Sequence, residues 1–214
     1  MKTHIGSLTA VLLLLAGFVS AGEGPAGGRL DAPRVAPLAP EAAREAMDSI
    51  ADVAPDAPVL NIFRTLQHHP RLMQAWSGFG RYILAESTLP PRHREMTMLR
   101  IGWLCQSDYE FGQHARIAQS IGITEDEILA ITRGPADPLW SPFERALLQG
   151  VDELHAEALI SDDTWAALSK QYSVQQMMDY VFTVGQYNLV SMALNSLGVE
   201  REEGVAGFPK DARR

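Results

Sequence analysis

Hydrophobic positions recur along this chain at helical spacing, and no stretch alternates with a period of two for long enough to argue a strand. Between Arg71 and Glu86, Leu72, Trp76, Phe79 and Ile83 fall at intervals of four, three and four, one face of a helix. From Pro91 to Leu104 the pattern changes. Met96, Met98, Leu99, Ile101, Trp103 and Leu104 wrap nearly all round, the mark of a buried helix. Pro90-Pro91 suits its entrance, where a missing N–H costs nothing. A polar elbow, Gln106-Ser107-Asp108, leads into a further helix running to Ile121, and Ser107-x-x-Glu110 matches the capping-box spacing. Shorter helices are expected over Glu41–Asp52 and Val59–His68. Thr124–Arg133 opens Thr124-x-x-Glu127 and stops at Gly134-Pro135, and a loop follows over Pro135–Trp140. Another helix starts at Ser141-Pro142-x-Glu144, then one over Ser161–Tyr172. Val174 to Leu197 is long and almost uniformly apolar, with Gly198 as its stop, and Gln186, Asn188 and Asn195 stand as polar groups within it. These polar groups need partners if buried. They either bond between helices or line a pocket.

The ends have other characters. Residues 1–21 read as a secretory signal peptide: a thin basic start, an apolar run from Leu8 to Val19 and small residues Val19-Ser20-Ala21 at the cleavage point. That run is too short for a comfortable membrane span, so no stable membrane insertion is expected, and the exported protein would be periplasmic or secreted. Residues 22–40, rich in Gly, Pro and Ala, form an irregular linker. Residues 41–203 make one helical domain of 163 residues, long enough to bury its own core. Residues 204–214 are a polar tail, expected to be loose.

Charge and cysteine content narrow the function. Lys and Arg total 18 against 26 Asp and Glu, a net charge of −8 that loses one more positive group when Lys2 leaves with the signal. No basic groove emerges, so nucleic acid is not an expected partner. There is no glycine-rich phosphate loop and no His/Cys spacing for zinc. Cys105 is the only cysteine, which excludes an intrachain disulfide framework. It follows Trp103 and Leu104 and reads first as a small buried hydrophobe.

One constellation carries chemistry. Glu95 lies near the start of the apolar helix. Glu110 and His114 share a face of the next helix, one turn apart, within reach of an ion pair or hydrogen bond. If the two helices pack antiparallel, Glu95 reaches the same spot. Each residue alone has a bland reading: a cap, a helix-start charge, a satisfied interior histidine. Arg64 and Arg100 are candidates for gripping a substrate carboxylate.

This stretch resembles the carboxymuconolactone decarboxylase family, which includes the alkylhydroperoxidase D-like proteins. The likeness rests on Glu95, the elbow and Tyr109-Glu110-Phe111-Gly112-Gln113-His114, and extends from about Arg34 to Glu203. It implies an all-α, alkylhydroperoxidase D-like helical bundle that assembles into trimers or hexamers. The peroxidase branch resembles Glu-x11-Cys-x-x-Cys-x3-His. Glu95 and His114 keep its outer spacing, but Ser107 and Glu110 stand where its thiols would be. A dithiol cycle needs an attacking and a resolving thiol. The decarboxylase-like branch is the closer likeness. It implies acid–base decarboxylation or isomerisation of a small carboxylate or lactone with no cofactor and no metal, with His114, Glu110 and Glu95 catalytic and Arg100 and Asn188 as substrate contacts. The alternatives are a peroxide reductase running on Cys105 alone and a non-catalytic binding module.

Overall fold

The computed structural model describes residues 30–48 and 59–212. The signal-peptide reading over 1–21 lies outside them, as does the expected stretch of helix beyond Asp48. Among the described residues the helices are α1 (Pro40–Asp48), α2 (Asn61–Leu66), α3 (Pro70–Arg81), α4 (Pro91–Leu104), α5 (Asp108–Ser120), α6 (Glu125–Arg133), α7 (Pro142–Glu157), α8 (Asp162–Leu168) and α9 (Val174–Leu197), and no strand occurs. None is long and apolar enough to cross a membrane. The fold is all-α, as the periodicity predicts.

α4 is the centre of the bundle. Everything from Glu95 to Trp103 is buried, and α5, α7, α9 and α6 pack around it. A helix surrounded in this way needs an apolar circumference, which is what its sequence supplies. Glu95 and Arg100 are the charged exceptions on that surface, and α7 resolves Arg100. Its guanidinium grips Asp152 at 2.6 and 2.8 Å and donates to the carbonyls of Ile131 and Thr132 at the end of α6. Gly134, at φ 91°, ends α6 directly under that guanidinium, where a Cβ would lie 2.7 Å from an Arg100 nitrogen. Arg100 is therefore a structural clamp between α4, α6 and α7, not a free substrate contact.

The turn between α4 and α5 sets the site. Gln106 N–H bonds to Trp103 O at 3.0 Å and Ser107 N–H to Gly102 O at 2.8 Å, the paired bonds of a Schellman ending. The left-handed position, usually glycine, is held here by Gln106 at φ 53°.

Two expectations fail here. The Ser107–Glu110 capping box does not form: Ser107 makes no side-chain cap bond, because Glu110 is turned into the protein interior instead of back to the helix start. The segment after Glu200 is not loose. Arg201 Nε bonds to Asp108 Oδ2 at 2.6 Å and Asp108 Oδ1 accepts from Phe208 N. The Phe208 ring packs edge-on to Trp103 at 5.0 Å and against Phe111 at 5.2 Å. Gly112 admits this segment, since a side chain there would run into the Ala206 carbonyl.

The linker residues from Leu30 onward are irregular but docked, with the Arg34 and Val35 amides on Leu197 O and Leu38 exchanging bonds with Arg64. Arg64 is thereby engaged in holding the linker to α2. The stripe on α3 also differs from expectation. Ile83 is fully buried, while Leu72 and Phe79 are exposed and Trp76 is half-buried. α3 covers a cavity instead of a solid core. It ends in a π turn over Tyr82–Glu86, closed by Ser87 N–H to Tyr82 O at 2.8 Å.

Candidate active site

A cavity of about 650 Å³ lies between α3, α5 and α9, with α2 at one side. Most of its wall is apolar, as small-molecule sites are. Phe63, Met73 and Trp76 come from α2 and α3, Ile117 from α5 and Val190 from α9. Glu110 and His114 project into it from α5, and Tyr187 and Gln186 from α9.

The antiparallel pairing of α4 and α5 brings Glu95 to this wall from behind. Its Oε2 stands 2.7 Å from His114 Nδ1, and it is fully buried. Arg94 Nε sits 3.4 Å from the other Glu95 oxygen. The partner of the imidazole is therefore Glu95, one helix away, not Glu110, one turn away. A carboxyl oxygen at Nδ1 fixes the ring's orientation and favours the tautomer whose second nitrogen, Nε2, is left as the base. Tyr187 packs edge-on against the imidazole at 4.8 Å and 85° and closes the remaining side.

Glu110 is the second chemical group. It is 2% exposed, and neither of its oxygens has a hydrogen-bond partner. Burial pushes its carboxyl well above the usual carboxylate range, and the nearby Ser191 hydroxyl offsets this only in part. The neutral acid is the form such a site favours. Gly102 on α4 leaves room for it, since a Cβ there would lie 3.2 Å from Glu110 Oε1. The wall thus holds an imidazole oriented by Glu95 and a buried carboxyl that its surroundings bias toward the neutral acid.

The other sequence candidates lie elsewhere. Cys105 caps α4, half-buried. Its Sγ is 2.9 Å from Asn188 Oδ1 and 3.8 Å from His155 Nδ1, and its carbonyl accepts from Asn195 Nδ2. Cys105, Asn188 and Arg100 do not line the cavity. Of the three polar residues noted on α9, Asn188 and Asn195 serve helix–helix bonding, and Gln186 faces the pocket.

Sequence reasoning passed over Tyr187, Ser191 and Gln113 as site residues, and placed Trp76 only on a packing stripe. Tyr187 and Ser191 sit among ordinary core residues of α9, with no local signal to separate them. Gln113 and the Tyr109 hydroxyl are tied to Glu202 of the C-terminal segment, a contact that only the docked tail creates. No group of three or more His, Cys, Asp or Glu side chains among the described residues is placed to hold a metal.

Comparison with known proteins bears on the fold. Residues 70–153 match the carboxymuconolactone decarboxylase family model. No curated protein sequence matches the chain. Among solved structures, the debrominase Bmp8 superposes with a TM-score of 0.67 at 15% identity, covering 79% of this chain and 92% of its own. An uncharacterised peroxidase-related protein from Silicibacter sp. TM1040 superposes at 0.64 with 16% identity, over 87% and 97% of the two chains. A peroxidase-related protein from Ralstonia eutropha JMP134 with an alkylhydroperoxidase AhpD core gives 0.63 at 17%, over 76% and 84%. The fold around α4 and α5 is the AhpD-like helical fold of these proteins, and its segment 70–153 is similar to the carboxymuconolactone decarboxylase family.

Proposed function

We propose that this protein is an enzyme that moves protons on a small molecule without covalent attachment, of the decarboxylating or isomerising kind. The observation that carries this reading is the 2.7 Å pairing of Glu95 Oε2 with His114 Nδ1, set on the wall of a cavity that also holds the unpartnered Glu110. His114 Nε2 takes a proton from substrate carbon, and Glu95 holds the ring and stabilises the imidazolium that forms. Glu110, kept neutral by burial, donates to the oxygen on which charge develops. A carboxylic acid held neutral near pH 7 serves this purpose in other proton-transfer sites. Tyr187 and the apolar wall exclude water, which strengthens both interactions.

A thiol peroxidase is the competing reading, and the peroxidase-related structural neighbours favour it. It would have to run on Cys105, which points toward Asn188 and His155 and not into the cavity. An unbiased metabolite screen separates the two. Purified protein is incubated with a small-molecule extract, and consumed species are read by mass spectrometry beside His114→Ala and Cys105→Ser. Consumption lost in His114→Ala and kept in Cys105→Ser supports acid–base chemistry. The reverse pattern, or turnover of added peroxide, supports the thiol.

A further inference from the structure

The cavity wall carries polar atoms that the Glu95–His114 pairing does not use, and a role for them rests on the acid–base reading above. Several are already engaged. The Tyr109 hydroxyl and the Gln113 amide bond to Glu202, and Ser77 Oγ bonds to Gln74 O. Two neighbours on α9 differ. Tyr187 is 8% exposed and Gln186 5%, yet neither side chain has a hydrogen-bond partner among the described residues. Their polar atoms are not sealed into the interior either, and both residues line the cavity. A tyrosine hydroxyl buried to this degree usually has a partner. Here the open side is the cavity, so the partner is a molecule that enters it.

Position separates the two. The Gln186 amide reaches toward α3, its Nε2 3.8 Å from where a Cβ on Gly80 would lie. The Tyr187 ring instead meets the His114 imidazole edge-on, with centroids 4.8 Å apart. Glu95 occupies His114 Nδ1, which leaves Nε2 as the free nitrogen. The phenol oxygen and that nitrogen therefore lie within the span of one small molecule. Burial pushes the Tyr187 hydroxyl well above its usual range, the Glu110 and Glu95 carboxyls push the same way, and Arg94 opposes them. Such a phenol keeps its proton near neutrality and acts as a hydrogen-bond donor.

We propose that Tyr187 is a further catalytic residue, its hydroxyl donating to the substrate oxygen on which charge develops while His114 Nε2 holds the proton taken from carbon. No proton leaves the tyrosine. Its hydrogen bond strengthens as the oxygen gains charge and weakens when His114 returns the proton to carbon, so Tyr187 is unchanged over the cycle. An interaction that is stronger in the transition state than in the bound substrate raises the rate more than it tightens binding.

4-Nitrophenol is the probe, because its oxygen becomes charged when its proton passes to His114 and its absorbance reports the ionised fraction. It is titrated at pH 7 into the full-length protein beside 4-nitroanisole, whose methylated oxygen cannot ionise. Wild type should bind nitrophenol at least about tenfold tighter than nitroanisole. Tyr187→Phe, which keeps the ring against His114, should lose at least about tenfold in nitrophenol affinity and bind nitroanisole as wild type does. On the species consumed in the metabolite screen, Tyr187→Phe should lower kcat by about 10²–10³-fold with KM changed far less. Equal nitrophenol affinity in wild type and Tyr187→Phe, no nitrophenol binding by wild type, or a change in KM alone overturns the proposal. The wild-type comparison stands even where a variant fails to fold, and equal affinity for the two probes overturns the proposal there too. The acid–base reading fails separately. Tyr187-dependent binding in which the ionised fraction rises no more with wild type than with His114→Ala keeps the tyrosine contact and removes that reading.

Discussion

At the scale of single residues, Glu110 decides most. Its folded pKa is raised by burial, so folding favours the protonated form. The stability it contributes is fully present below the unfolded value of about 4.3 and is lost as pH rises through the folded value. Glu110→Gln removes the titration while keeping the shape. Thermal melts should show the variant more stable than wild type at pH 8 and indistinguishable at pH 4; a variant that loses stability at both would mean the charge is held by a partner. The sequence made Glu95, Glu110 and His114 visible as a group but left their pairing open. The local i, i+4 geometry favoured Glu110 with His114, and only the antiparallel packing of α4 on α5 shows that Glu95 takes the imidazole. Arg100 misled for a related reason, since an arginine in an apolar helix looks the same whether it meets a substrate or, as here, Asp152 on α7.

Helix ends and joints are the next scale. The capping box read at Thr124 forms, and Ser141, read only as a helix start, forms one with Glu144 as well. They form because each glutamate stays at the surface end of its helix, within reach of the cap. Arg92 then ties the two capping carboxylates together, 2.6 Å from Glu127 and 2.8 Å from Glu144. The other box read from the sequence, at Ser107, has the same spacing but its glutamate is buried, which spacing alone does not reveal. The π turn after α3 was not foreseen either, because nothing in Tyr82–Glu86 distinguishes it from ordinary helix. It is clasped by Asp179 on α9, which accepts from Tyr82 Oη at 2.8 Å and from the Thr88 amide and hydroxyl at 2.7 Å. Burial raises the Asp179 carboxyl, but these bonds outweigh it and hold it below the usual range. Its contribution is therefore present above the unfolded value of about 3.9 and is lost as pH falls through the folded one. Asp179→Ala should cost about 1.5–3 kcal/mol in urea unfolding near neutrality, the scale for hydrogen bonds to a charged group, and progressively less as pH falls below about 3.9. An unchanged midpoint at pH 7 would show that the clasp contributes nothing.

At the scale of the whole molecule, α9 carries an apolar stripe that is exposed among the described residues. Met178, Phe182, Leu189 and Met192 on α9 are all more than half exposed. With Gly185, where a side chain would meet open space, they follow a four-three repeat, the pattern of a helix seam awaiting a partner. The 3.6-residue periodicity had marked α9 as apolar all round, but could not tell which part faces the core and which a second chain. A trimer or a multiple of it is expected. Light scattering should give a mass three or six times that of the chain, which is 23.5 kDa over its 214 residues. Phe182→Glu with Met192→Glu should shift the mass toward the monomer. A wild-type protein that stays monomeric on concentration would contradict the seam. Export is proposed at the same scale: N-terminal sequencing of the native protein should begin near Gly22, and an intact Met1 would argue against it.

The central claim is that His114, oriented by Glu95, moves a proton on a ligand facing the neutral Glu110. Solvent deuterium incorporation tests it most directly. The species consumed in the metabolite screen is incubated in D₂O with wild type, Glu95→Gln, Glu110→Gln and His114→Ala, and each rate is set beside that variant's melting temperature. Wild type should place deuterium on carbon. His114→Ala should slow incorporation by about 10²–10⁴-fold, far more than in proportion to the stability lost when the buried Glu95 is left without its imidazole partner. Rates that fall only in proportion to lost stability, or turnover that survives His114→Ala and disappears in Cys105→Ser, would contradict the account.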